Sequence, residues 1–360
     1  MQSVLAPAAA TPERSTGSLR VAGALCILLG VFVMTLGTIW DIQWHVVIGR
    51  DSFWIPPHVV LYAGLALTIV SVGALVFWET FARAADGISV FGVTAPAGIW
   101  IAAAGIATML LAAPFDNWWH NTFGLDTTLW SPPHMMGLAG GGMIPCGAVA
   151  VLGRELRHGL MSSRVARWAW VGMVFGFGEI LGVFNLAIQP ASRLSVLSVG
   201  TDPFLYPLLA SLALPPVLAA SRAATGNRWG AITTAMANFA LALAASGFAA
   251  LAFRVVLPSL STPAPGFGAG PSILRLLPLL PALALDLLAG TPGMSRWREA
   301  VGAVAWAVVL MAVVVLVSMR FAGTVSIDRA LPVLPLVALG ASVSSAVGNW
   351  LGRLIAAHER

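Results

Sequence analysis

The sequence predicts an all-α fold, a polytopic membrane helix bundle of about ten transmembrane helices. Three observations predict it. Hydrophobic residues make up 58% of the 360-residue chain and charged residues only 9%, too few charges to solvate a water-soluble surface of this size. Apolar runs of the length a bilayer crossing needs, about 20 residues, recur along the chain. Finally, one polar pattern occurs twice in the N-terminal half, each time at the seam between two apolar runs, which marks a parallel repeat of two helix hairpins.

Taken in order, residues 1–18, rich in Ala, Ser, Thr and Pro, read as a disordered cytoplasmic leader. The apolar run after Arg20 is longer than a signal-peptide core and is a membrane span. The spans expected are 20–43, 58–82, 95–116, 133–153, 165–187, 203–221, 230–253, 271–290, 299–319 and 332–354. They form one transmembrane domain over 19–360, with the duplicated hairpins in 19–155 and additional helices in 156–360. The longest outer loops, near 188–202 and 254–270, are rich in small residues and proline and too short for a soluble domain.

All nineteen basic residues are arginine, and they cluster at span ends. With the N-terminus inside, thirteen arginines fall on the inner side and six on the outer. The positive-inside rule therefore places both termini in the cytoplasm of a multi-pass protein of the cell (inner) membrane. The net charge of +5 thus reflects topology and not a nucleic-acid partner; the lipid bilayer is the partner. Cys26 and Cys146 both lie inside apolar runs and make neither a disulfide framework nor a Cys-x-x-Cys site. No phosphate-binding loop, dinucleotide fingerprint, nucleophile elbow or zinc-protease helix occurs, which leaves nucleotide cofactors and nucleophilic catalysis without a basis.

The duplicated pattern reads Asp-x-x-Trp-His, Gly-x-Asp, then Trp-x-Pro-Pro-His. Its first copy holds Asp41, Trp44, His45, Asp51, Trp54 and His58, and its second Asp116, Trp119, His120, Asp126, Trp130 and His134. Four of the six histidines lie here. Asp41 and His45, four apart, share one helix face at the end of the first span. His58, after Pro56-Pro57, opens the next span, because proline favours the first helical turn. Asp116, His120 and His134 repeat the arrangement. Each hairpin tip thus offers a carboxylate and two imidazoles, a set that suits copper, zinc or iron and leaves coordination positions free for oxygen or substrate. Both sites are expected on the outer side. Asp51 and Asp126 are candidate acceptors for imidazole N–H groups, and Arg50 is a candidate partner for Asp51. Trp44, Trp54, Trp118, Trp119 and Trp130 are interface-belt residues or site walls.

Weaker signals lie elsewhere. Glu179, midway along the fifth span, either handles protons or contributes to the site, or is held by a hydrogen bond to a neighbouring helix. Asn185 and Asn238 are candidate interhelical hydrogen-bond formers. Glu79 and Asp286 sit near inner span ends, where they can reach the interface. Met135, Met136, Met143 and Cys146 follow His134; soft sulfur suits Cu(I), and methionine also fills apolar helices.

At the two triads the chain resembles a membrane subunit of the copper membrane monooxygenases, the particulate methane and ammonia monooxygenases, over about residues 36–140. The subunit in question carries a copper site Asp-x3-His-x12-His, the spacing of Asp41, His45 and His58. Its neighbouring site is Asn-x3-His-x13-His, matched by Asp116, His120 and His134 with aspartate in place of asparagine. The resemblance implies one or two copper ions, with iron and zinc open, and catalytic roles for these six residues. It implies oxidation of a small hydrophobic or amine substrate with O2, and an electron donor or cupredoxin partner, although nothing in this chain looks like a cupredoxin. The other readings are a non-catalytic copper-binding or transport protein and an accessory subunit of a larger oxidase.

Overall fold

The computed structural model describes residues 12–49, 52–82, 87–124, 129–159, 161–197, 204–257, 277–293, 295–321 and 327–356. These residues form an all-α bundle. Its helices are α1 (Pro12–Val47), α2 (Pro56–Ala82), α3 (Ala97–Phe123), α4 (Pro132–His158), α5 (Ser163–Leu197) and α6 (Leu205–Thr225). They continue with α7 (Gly230–Val256), α8 (Leu279–Ala289), α9 (Arg296–Phe321), the single turn α10 (Ile327–Ala330) and α11 (Leu334–Ala356). Nine of the described helices are long and apolar enough to cross a membrane, and their exposed Leu29, Val70, Phe77, Leu111, Leu251 and Leu316 suit lipid contact. The chain is a multi-pass membrane protein.

Three expectations change. Residues 12–18, expected in the disordered leader, are the first turns of α1; residues 1–11 lie outside the described residues. The eighth expected span, 271–290, is represented by α8, whose 11 residues are too short to cross alone, and 258–276 lie outside the described residues. The segment 188–197, expected as loop, continues α5, because Pro190 is tolerated in a helix where neighbouring helices re-satisfy the freed backbone groups. A small antiparallel hairpin, β1 (Ile88–Val90) with β2 (Val93–Ala95), joins α2 to α3. β-Branched residues favour it, and Gly92 supplies the positive φ at its turn.

Contacts give most of the described helices a direction. Taking the start of α1 as the lower end of the bundle, α1 rises, α2 falls, α3 rises and α4 falls. Trp130 Nε1, just before α4, donates to Ala187 O of α5, so α5 rises to the same upper end as α3. Arg222 near the end of α6 donates to Gly290 O just beyond α8, placing both at the lower end. Trp44 of α1 stacks on Phe253 of α7 at the upper end. Arg157 of α4 donates to Ile355 O of α11, so the described chain finishes at the lower end, where it began.

Between helices in lipid, association depends on close packing and on satisfied polar pairs. The duplicated hairpins show this at equivalent places. A methyl group on Gly30 would meet Gly64 O at 2.9 Å, and one on Gly105 would meet Gly140 O at 2.7 Å. Only glycine lets α1 lie this close to α2, and α3 to α4. At the lower end Arg20 holds Glu79 in a two-pronged pair of 2.6 and 2.9 Å and reaches Glu155 at 3.2 Å. Asp286 pairs with Arg222 and accepts from the backbone N–H of Ile232 at 2.8 Å, capping the start of α7. Glu79 and Asp286 therefore do not reach the interface; they are 1% and 0% exposed and ion-paired.

Candidate metal centre

The first triad is assembled by the end of α1 and the start of α2. Asp41 and His45 are a turn apart in α1, which closes where Gly49, at φ 65°, donates to His45 O. Pro56 and Pro57 open α2 and carry His58 in its first turn. Asp41 Oδ1 lies 3.4 Å from His45 Nε2 and 3.2 Å from His58 Nε2. The second triad has the same construction: Asp116 Oδ1 lies 3.5 Å from His120 Nε2 and 3.3 Å from His134 Nε2. Corresponding distances agree to 0.1 Å between the copies. In each triad one donor atom per residue fits within 4.8 Å of the others.

This geometry fits a metal ion. Donors bound at about 2.0–2.1 Å in a tetrahedral arrangement lie roughly 3.3–3.4 Å from one another, the separation seen between each carboxylate oxygen and its two imidazoles. In the second triad His120 Nδ1 lies 3.0 Å from Gly124 O. A carbonyl can only accept, so Nδ1 carries a proton, and in the neutral ring Nε2 is the nitrogen whose lone pair faces the site. Gly124 makes this contact from φ 84°, a conformation glycine adopts without a Cβ penalty.

The two triads are neighbours. The rings of His45 and His120, one from each triad, are 6.4 Å apart at an interplanar angle of 30°. Their surroundings differ. Beside the first, Trp40 and Trp44 pack edge-on to each other and against Phe253 of α7, forming a buried aromatic wall with Ile55. His58 meets Tyr62 at 5.8 Å. Beside the second, Phe115 stacks on Trp118, which is exposed. Of the tryptophans expected as belt or wall, Trp44 is wall, Trp54 and Trp118 are exposed, and Trp130 is pinned to α5.

Glu179 joins neither triad; its Oε2 contacts Thr35 Oγ1 of α1 at 3.2 Å. Asn185 and Asn238 do bond between helices, to each other, at 3.0 Å. Met143 packs against Gly105 in the hairpin seam, and Met135 and Cys146 are exposed. Arg50, Asp51 and Asp126 lie outside the described residues.

The polar tips alone understate how far the duplication runs. Glu79 follows His58 by 21 residues and Glu155 follows His134 by 21, and these two glutamates converge on Arg20. Gly30 and Gly105, Met34 and Met109, and Gly64 and Gly140 also correspond, in position and in contact. Laying the two copies of the sequence over one another beyond the tips reveals these pairs.

The fold and site define a polytopic membrane protein with paired acid–imidazole triads at one end of its helices. Comparison with protein-family models, with curated proteins and with solved structures finds no match to this chain.

Proposed function

We propose that this chain is a copper-dependent membrane monooxygenase that oxidises a small hydrophobic or amine substrate with O2. The observation that carries the reading is the pair of adjacent triads with matching acid–imidazole geometry. Asp41, His45 and His58 would hold one ion, and Asp116, His120 and His134 a second. Copper bound there supplies oxygen binding and electron transfer. The protein's own part is to hold three donors at each triad, fix the His120 tautomer through Gly124, and exclude water with the aromatic wall of Trp40, Trp44 and Phe253. Apolar helix faces would deliver a hydrophobic substrate from lipid. Electrons would come from a separate donor, such as a cupredoxin. The resemblance in ligand spacing to the copper membrane monooxygenases supports copper over zinc or iron. The arginine distribution supports cytoplasmic termini, with the triads on the outer side of the cell membrane.

The test is metal analysis and electron paramagnetic resonance of detergent-purified protein, with His58→Ala, His134→Ala and the double variant. The expected copper content is about two equivalents in the wild type, about one in each single variant and almost none in the double variant. Copper content unchanged in both single variants would overturn the reading.

A further inference from the structure

Below the first triad, facing the same helix α1, lies a buried carboxyl that no ion pair accounts for. Glu179 of α5 is 3% exposed. Its Oε1 is buried and has no hydrogen-bond partner among the described residues, and its Oε2 contacts the hydroxyl of Thr35 at 3.2 Å. The same hydroxyl lies 3.1 Å from Val31 O. A threonine has one hydroxyl proton and cannot donate to both. If it donates to Glu179, Oε2 is the acceptor and the carboxyl needs no proton of its own. If it donates to Val31 O, the contact to Glu179 is made by a proton on the carboxyl, donated to Thr35 Oγ1. The two arrangements occupy one geometry and differ by one proton.

Among the described residues no other side chain donates to this carboxyl. Asn238 of α7 spends its amide on Gly178 O at 3.2 Å and pairs with Asn185 at 3.0 Å. On α4, Cys146 is at this level but exposed on the outside of the bundle. Charged side chains of the packed helices lie toward their ends: Arg20, Asp41 and His45 on α1, His134 and Glu155 on α4, Arg222 on α6 beside Asp286, Arg254 on α7, and Glu299 on α9. Along α1, Thr35 precedes Asp41 by six residues, an axial rise of about 9 Å.

We propose that Glu179, with Thr35, is an internal proton-binding site coupled to cation loading of the Asp41, His45 and His58 triad. The proposal rests on that triad binding a metal. A divalent cation brings positive charge close to the carboxyl. The carboxyl O–H bond then breaks, the electron pair stays on oxygen as carboxylate, and the proton leaves to water. At an effective dielectric of about 20 and a separation of about 9 Å, the two added charges weaken proton binding by roughly two to three powers of ten.

The experiment uses the full chain in detergent, with Zn2+ as a redox-silent probe. Calorimetric titration in two buffers of different ionisation enthalpy counts the protons released per zinc, in the wild type, Glu179→Gln and Thr35→Val, across pH 5 to 9. Infrared difference spectra follow the carbonyl band of a protonated carboxyl. The wild type is expected to release more protons than Glu179→Gln, with the excess approaching one in part of that range. A carboxyl band should vanish on zinc loading, be absent from Glu179→Gln, and move its pH midpoint in Thr35→Val. Equal proton counts in wild type and Glu179→Gln at every pH, with zinc bound equally, would overturn the proposal and leave the triads standing. Absence of zinc binding to all three proteins would overturn the triad reading and the coupling together.

Discussion

At the scale of single residues, the two carboxylates decide how alike the sites are. Asp41 and Asp116 each place one oxygen between two imidazole nitrogens, with distances that match to 0.1 Å. In a loaded site each would supply both a ligand atom and a negative charge that offsets the cation in a medium where charge is costly. Asparagine keeps the oxygen and removes the charge. Asp41→Asn and Asp116→Asn should therefore each weaken metal binding at their own triad on the order of tenfold to a hundredfold, leaving the other unchanged, as read by competitive metal titration. A larger loss at one triad would show that shape alone does not make the sites equivalent. Both should also lose metal on acidification, since ligation needs unprotonated imidazole. These six residues were legible in the sequence because four-residue spacing on a helix and a proline-led helix start are local rules. Glu79, Glu155 and Arg20 were not, because an acid near a span end reads as interfacial until a partner 59 or 135 positions away is brought to it.

At the scale of elements, the hairpin is the repeating unit and glycine sets its packing. Gly64 and Gly140 lie so close to the facing helix that a methyl group would meet Gly30 O at 2.6 Å and Gly105 O at 2.8 Å. Backbone cannot yield as a flexible side chain does, so Gly64→Leu and Gly140→Leu should each cost at least about 1–3 kcal/mol. Thermal unfolding in detergent would measure this, and each variant should also lose metal from its own hairpin's triad first. The lower ends are tied differently. Arg20 is the shared cation for two glutamates that are 1% and 4% exposed. Arg20→Gln leaves buried carboxylates without their counter-charge and should destabilise the protein by about 3–5 kcal/mol in denaturant titration, whereas Arg20→Met with Glu79→Gln and Glu155→Gln should recover most of that loss. Hydropathy alone made most of the long helices legible. It read α8 as part of a full span, 271–290, whereas the described helix has 11 residues, and α8 is held by the pairing of Asp286 with Arg222 and with the first turn of α7.

At the scale of the whole molecule, duplication places two equivalent sites side by side, and the remaining helices make their surroundings unequal. α7 packs Phe253 against Trp40 and Trp44, which precede Asp41 and His45, while Trp118 near the second triad stays at the surface. Equivalent donors in unequal surroundings should fill in sequence. With the His45 and His120 rings 6.4 Å apart, ions in both triads would be close enough for their electron spins to interact. Copper titrated into the metal-free protein should first give a resonance spectrum of isolated Cu(II). Beyond about one equivalent it should broaden and lose intensity per copper, as the second triad fills beside the first. His134→Ala should stop at the isolated spectrum however much copper is added. A spectrum that only grows in proportion through the second equivalent, in a protein shown by metal analysis to hold both ions, would mean that the triads act as separate centres, and the duplication would then have produced two sites and not one joint one.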